Sequence, residues 1–256
     1  MESLEILIAG MVQGFTEFLP VSSSGHLVFV HAIFGFKEPT MIFDVYLHFA
    51  TLLAVVIFFR GDILDIFRKR QWGLAMMIAA ASVPAVAAGL LFESKVEALF
   101  SDPFRVCLML LVTGGILFAA HFLRNIRKAE GTSPNFLSAM VVGVAQAVAL
   151  FPGISRSGAT ISAGMMSGIK AEEAFRFSFL LSIPVIAGAA GYHLFFTDIK
   201  SELAAEMSRY LPGMLLSFIC GMFSLYILKS AIIHRKLHYF GFYCLAAGTA
   251  GLLLLK

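Results

Sequence analysis

Residues 13–26 read Gln13-Gly-Phe-Thr-Glu-Phe-Leu-Pro-Val-Ser-Ser-Ser-Gly-His26, and residues 146–159 read Gln146-Ala-Val-Ala-Leu-Phe-Pro-Gly-Ile-Ser-Arg-Ser-Gly-Ala159. At an offset of 133, Gln13 meets Gln146, Phe18 meets Phe151, and Ser22, Ser24 and Gly25 meet Ser155, Ser157 and Gly158. Each stretch lies inside an apolar region, 5–36 or 136–170, that Gly, Pro and Ser break in the middle. Neither half of either region is long enough to cross about 30 Å of hydrocarbon. The pattern predicts two re-entrant helical hairpins. Their non-helical backbone survives at membrane depth only where protein or a water-filled cavity covers it.

Six unbroken apolar stretches surround the hairpins. They run approximately from Ile42 to Phe59, Trp72 to Phe92, Phe104 to Leu123, Ala174 to Phe196, Leu211 to Leu228, and Tyr239 to Leu255. Three follow each hairpin, and three is odd, so the second half is inverted relative to the first. The expected fold is an all-α polytopic membrane protein. It has six transmembrane helices plus two broken re-entrant helical hairpins, arranged as two inverted-topology repeats. The whole chain, 1–256, reads as one integral membrane domain, with repeat one about 1–130 and repeat two about 131–256. The polar stretch Ala129–Pro134 marks the boundary. Inverted repeats with broken helices usually hold a polar site near the midplane where the halves meet.

Composition agrees. Of 256 residues, 59% are hydrophobic and 14% charged, and the mean hydropathy is +0.87. A soluble domain carries roughly 45–50% apolar and about 25% charged residues. Nineteen Lys and Arg with sixteen Asp and Glu are too few to wet a globule that also carries 26 Phe. The same numbers exclude a disordered chain, a collagen and a coiled coil, and they predict membrane lipids rather than nucleic acid as the surroundings. Cys107, Cys220 and Cys244 all lie in apolar runs without a CxxC, which gives no disulfide framework and no zinc site. No cleavable signal peptide is expected, since Glu2 and Glu5 stand where a basic segment belongs. The connections at 60–71, 124–130 and 229–236 are basic and the other two lean acidic. Positive charge favours the cytoplasm, so the first hairpin is expected to enter from outside and the second from inside.

The two loops hold most of the polar atoms outside the connections, and Glu17, His26 and Arg156 are their ionisable members. Intramembrane ionisable residues are functional candidates by default. Each loop sets polar residues beside a Gly before a helix, a pattern whose amides cradle an anion. Ser22, Ser23, Ser24, Ser155, Ser157 and Thr160 add hydroxyls, and Arg156 adds a planar fork suited to phosphate oxygens. Gly25, Gly153 and Gly158 let a ligand approach the backbone. Gln13 and Glu17 share a helix face, and Glu17 is free to bind a divalent cation, orient His26 or accept a proton. Ser23 and His26 are three apart, so hydroxyl and imidazole can approach. Nucleophile, base and anion clamp describe phosphoryl transfer. Plainer uses compete: Ser and Gly for helix packing, Pro20 and Pro152 as helix breakers, and Asp44 with Arg176 as a structural pair or the edge of the site. His48 has no obvious partner.

At these residues the sequence resembles the undecaprenyl-pyrophosphate phosphatase family of bacitracin resistance. The (E/Q)xxxE motif stands as Gln13-Gly-Phe-Thr-Glu17 and runs into Leu19-Pro-Val-Ser-Ser-Ser-Gly-His26. The PGxSRSxxT signature is complete as Pro152-Gly-Ile-Ser-Arg-Ser-Gly-Ala-Thr160. The resemblance implies hydrolysis of undecaprenyl pyrophosphate to the monophosphate carrier for cell-wall synthesis. It also implies a bacterial cytoplasmic membrane, a site open to the outer side, and a divalent cation, Mg²⁺ or Ca²⁺. By the same resemblance Ser23 is the nucleophile, His26 the base or acid, and Arg156 the pyrophosphate clamp, with Ser155 and Thr160 in its pocket. Glu17 is the second acid of its motif, with Gln13 where many members carry Glu, and these two are the candidate metal ligands. His26 as nucleophile, or water activated by Glu17 and a cation, remain open alternatives. A transporter or flippase of an anionic polyprenyl phosphate is the competing function. Gly114, Gly115 and Gly221 serve either internal packing or a homodimer seam.

Overall fold

The computed structural model describes residues 3–34, 41–100, 102–127, 131–196 and 200–254. Among them the secondary structure is helical: α1 (Ser3–Phe18), α2 (Ser23–Phe34), α3 (Met41–Phe58), α4 (Arg60–Arg68), α5 (Trp72–Phe100), α6 (Pro103–Arg127), α7 (Phe136–Val148), α8 (Arg156–Met166), α9 (Ala171–Phe196), α10 (Lys200–Ile233) and α11 (His238–Leu254). The two expected breaks are present, one between α1 and α2 and one between α7 and α8. Residues 35 and 36 of the first hairpin region and Leu255 of the last span lie outside the described residues. A polar bridge closes the base of the second hairpin: Thr132 N–H donates to the Gly168 carbonyl (2.9 Å) and Lys170 N–H to the Thr132 carbonyl (3.0 Å).

Four helices contain stretches long and apolar enough to cross a membrane: Trp72–Phe92, Pro103–Arg124, Ala171–Gly191 and Glu206–Ile233. This makes the chain a multi-pass membrane protein. Where the other two spans are expected there are shorter apolar helices, Phe43–Phe58 and His238–Leu254. At ~1.5 Å per residue each covers roughly 25 Å, somewhat less than the hydrocarbon thickness. Only 17% of the Trp72–Phe92 stretch is buried, and Met76, Leu90 and Leu91 point outward. An outward wall of large apolar side chains is the surface that lipid requires. The basic connection at 60–71 contains the short helix α4. Its Ile66 joins the core under α3 and α5.

Within lipid, helices associate by close packing rather than by hydrophobic exclusion. Helix α1 packs on α10, and α7 on α5. Gly10 lies against the Gly213 backbone, and Gly143, 133 residues on, lies against the Ala81 backbone; a Cβ at either would collide. Further pairs are α3 with α10, α5 with α9, α3 with α9, and α6 with α11. Gly114 packs on Gly241 and Leu245 of α11, and Gly221 on Phe18, so both serve internal packing; Gly115 faces open space. Beneath the α1–α2 turn, Phe18 meets Phe179 edge-on at 5.6 Å, and Phe59 stacks on Phe179 at 5.7 Å. This aromatic floor, from α1, α9 and the residue after α3, carries the end of α1.

Candidate active site

Pro20 follows the last turn of α1, and Ser22 adopts a left-handed φ of 67°, which turns the chain into α2. Ser22 Oγ accepts from Gly25 N–H (3.3 Å) and lies 3.1 Å from Ser24 Oγ. Ser155 does the same at the start of α8: its Oγ accepts from Gly158 N–H (3.2 Å) and lies 3.2 Å from Ser157 Oγ. Both loops therefore start their helices with the same serine cap, a residue type favoured at that position. Gly153 has φ 93°, and a Cβ there would collide with the Val106 carbonyl. Thr113 of α6 holds this second loop, donating to the Gly153 carbonyl (2.9 Å) and accepting from Ser155 N–H (3.1 Å). The loops meet directly. Gly153 N–H donates to Ser24 Oγ (3.4 Å), and Gly158 sits against Pro20.

At that junction three chain segments converge on one buried carboxylate. Arg156 Nη2 donates to Glu17 Oε1 at 2.6 Å. Ser23 Oγ donates to Oε2 at 2.7 Å, and Gln13 Nε2 donates to Oε2 at 3.1 Å. His48 of α3 completes the group, with Nδ1 3.3 Å from Gln13 Nε2 and 3.9 Å from Glu17 Oε2. His48 thus has the partners that its position in the sequence does not reveal. Opposite charges 2.6 Å apart and largely out of water hold one another strongly, because the surrounding dielectric screens little. Arg156 Nη1 and Gln13 Oε1 are buried with no hydrogen-bond partner among the described residues. One donor and one acceptor therefore remain beside the ion pair for a ligand.

The other candidates separate by position. His26 does not meet Ser23. Its Nδ1 lies 2.8 Å from the Ser22 carbonyl and its Nε2 2.6 Å from Tyr243 Oη on α11. Thr160 and Ser157 are fully buried. Thr160 Oγ1 donates to the Arg156 carbonyl (2.7 Å) and lies 2.5 Å from Ser178 Oγ, so it braces the turn that carries Arg156. Arg176 pairs with Asp62 (2.5 Å) and Glu173 (3.6 Å) rather than with Asp44, which makes it a link between α9 and α4. Thr113 and Tyr243 escaped the sequence reading. Thr113 is a lone polar residue in an apolar run, a faint signal; Tyr243 carries none.

No three His, Cys, Asp or Glu side chains among the described residues cluster as a metal cage. The donors present suit a different arrangement. Mg²⁺ commonly takes one or two carboxylates and completes its shell with substrate phosphates and water. Glu17 and the unpartnered Gln13 Oε1 are oxygens of that kind.

Known proteins resemble this chain in sequence over nearly its full length. The model of the family described as bacitracin resistance protein BacA matches residues 6–250. The undecaprenyl-diphosphatase of Carboxydothermus hydrogenoformans is 41% identical, covering 99% of this chain and 98% of its own. That of Methanococcus vannielii is 38% identical, over 95% of this chain and 97% of its own. That of Halothermothrix orenii is 37% identical, over 99% and 98%. The alignments span both loops and every helix between them, and the chain belongs to the bacitracin resistance protein BacA family.

Proposed function

We infer that this chain hydrolyses undecaprenyl diphosphate to undecaprenyl phosphate and inorganic phosphate, and that this is how it confers bacitracin resistance. The observation that carries the reading is the junction of the two loops, where Ser23, Glu17 and Arg156 are hydrogen-bonded in one cluster within a chain of this family. In the resting site Arg156 and Glu17 neutralise each other. An entering diphosphate competes for the guanidinium, whose fork and unpartnered Nη1 suit phosphate oxygens. Glu17 then loses its counter-charge while keeping Ser23 Oγ at 2.7 Å, which places it to take the serine proton as the oxygen attacks the terminal phosphorus; the phosphoanhydride P–O bond breaks, undecaprenyl phosphate leaves, and water then hydrolyses the phosphoserine ester to inorganic phosphate and free Ser23. Charge developing on the phosphoryl oxygens is met by Arg156 and by the amides opening α2 and α8. A divalent cation, Mg²⁺ or Ca²⁺, would be held by Glu17 and Gln13 Oε1 and would offset the diphosphate charge. Loop hydroxyls and glycines at 22, 24, 25, 153, 155 and 158 line the approach, and the polyprenyl tail lies along the outward apolar wall.

The same reading places the chain as two inverted-topology repeats with six spans and two re-entrant hairpins, in the cytoplasmic membrane with its site open outward. Exchange of packing partners supports the repeats. Swapping α1 with α7 and α5 with α10 turns the α1–α10 pair into the α7–α5 pair. Basic residues in the connections at 60–71 and 229–236 support the orientation. Gly115, facing open space, is the glycine left for a seam between two copies.

The test is phosphate release from undecaprenyl diphosphate by detergent-purified protein, wild type beside Arg156→Ala. Release by the wild type and its loss in the variant is the expected result. A folded wild type that releases no phosphate under any divalent cation overturns the enzyme and leaves a transporter of the same headgroup.

A further inference from the structure

His26 is one of the ionisable residues of the first loop, and both of its ring nitrogens are committed. Nδ1 lies 2.8 Å from the backbone carbonyl of Ser22, and a carbonyl oxygen only accepts, so Nδ1 carries a hydrogen in every charge state of the ring. In the neutral imidazole the lone pair is therefore on Nε2. That nitrogen lies 2.6 Å from Tyr243 Oη, and the two rings are stacked, 10° from parallel with centroids 5.5 Å apart. Tyr243 comes from α11, 217 residues away in the chain. Phe29, one turn along α2, closes the ring edge-on at 6.2 Å. The phenol serves both charge states. It donates to Nε2 of the neutral ring, and it accepts from Nε2–H of the imidazolium by rotating its own hydrogen away. No proton leaves the phenol in either case.

We propose that Tyr243 is a positioning residue for His26. It holds the imidazole as the Nδ1–H form, with Nε2 as the basic atom and the phenol as its partner at rest. Tyr243 is 47% exposed, so its ring can withdraw from Nε2 as a phosphate oxygen takes its place. The ring's partners settle the direction in which His26 works: Nδ1 is locked to its own loop, and exchange of a proton with substrate or solvent goes through Nε2. This inference rests on the phosphatase reading for its kinetic consequence and stands apart from it for the state of the ring.

The experiment compares wild type, Tyr243→Phe, Tyr243→Leu and His26→Ala in two readouts. Tyr243→Phe keeps the stacked ring and removes one hydrogen bond to the base, so kcat should fall about tenfold with KM within about twofold. Tyr243→Leu, which also loses the stack, should fall further. The second readout, ¹⁵N NMR of ring-labelled histidine in micelles, needs no turnover. The wild-type His26 signal should be that of the Nδ1–H form, and its Nε2 resonance should move downfield in Tyr243→Phe as the acceptor loses its donor. A His26 spectrum and a kcat both unchanged in Tyr243→Phe overturn the proposal. A His26→Ala variant with wild-type turnover removes the kinetic role of His26 while the spectrum still decides the role of Tyr243. A wild type without phosphatase activity fails the functional reading alone.

Discussion

Ser23 and Arg156 stand at equivalent places in the two halves of the chain, each the first residue of the helix after its loop, and their side chains end on the two oxygens of one carboxylate. Ser23 Oγ takes Oε2 of Glu17 at 2.7 Å and Arg156 Nη2 takes Oε1 at 2.6 Å. Both loops are serine-capped and carry a glycine three residues on. The differences between the loops make the site: one offers the hydroxyl, the other the cation. Glu17 and His26 have Leu150 and Ala159 as their counterparts.

That relationship makes a paired prediction for Arg156. Arg156→Ala leaves Glu17 charged and buried without its counter-ion, which should cost about 3–5 kcal/mol of stability besides activity. Adding Glu17→Gln to that variant should restore much of the thermal stability and none of the phosphate release. Arg156→Lys should lose about tenfold or more in kcat/KM, because a point charge cannot replace the fork. Near wild-type kcat/KM in Arg156→Lys would dismiss the clamp.

For the nucleophile, Ser23→Ala should reduce single-turnover phosphate release by roughly a hundredfold or more, as loss of an attacking hydroxyl does. Ser24 contacts Ser22 and the Gly153 amide but not the carboxylate, so Ser24→Ala should cost about threefold. Equal residual rates in the two variants would exclude Ser23 as the attacking group.

Gly153 offers a structural test. Its φ of 93° and the collision of any Cβ with the Val106 carbonyl predict that Gly153→Ala loses about 1–3 kcal/mol, visible as a lower melting temperature in detergent. Gly61→Ala on α4, where an added Cβ meets nothing within 4 Å beyond its own helix among the described residues, should not melt below the wild type. Matching melting temperatures for both variants would mean that the second loop does not depend on that backbone shape.

Gln13 stands where a second carboxylate would tighten a cation. Gln13→Glu should lower the Mg²⁺ concentration giving half-maximal phosphate release, and Gln13→Ala should raise it by about tenfold or more. A Mg²⁺ dependence identical in all three proteins would show that residue 13 serves Glu17 and His48 by hydrogen bonding alone.

Much of this molecule is written locally. Pro20 and Pro152, the capping serines 22 and 155, and the glycines after them stop one helix and start the next through short-range backbone geometry, so both breaks and the offset between them can be read along the chain. The apolar runs likewise mark where lipid will lie, because composition answers to the solvent. Partnership is a different matter. Ser23 and His26 are three apart on one helix, a spacing that permits contact, yet the Ser22 carbonyl captures Nδ1 and turns the ring to Tyr243. Glu17 reaches Arg156 across 139 residues, and His48 finds Gln13 from another helix. Such pairings follow from where close glycine contacts such as Gly10 on Gly213 seat each helix. Sequence alone determined the breaks, the caps and the polar residue types; packing between distant helices decided which of those groups share a hydrogen bond.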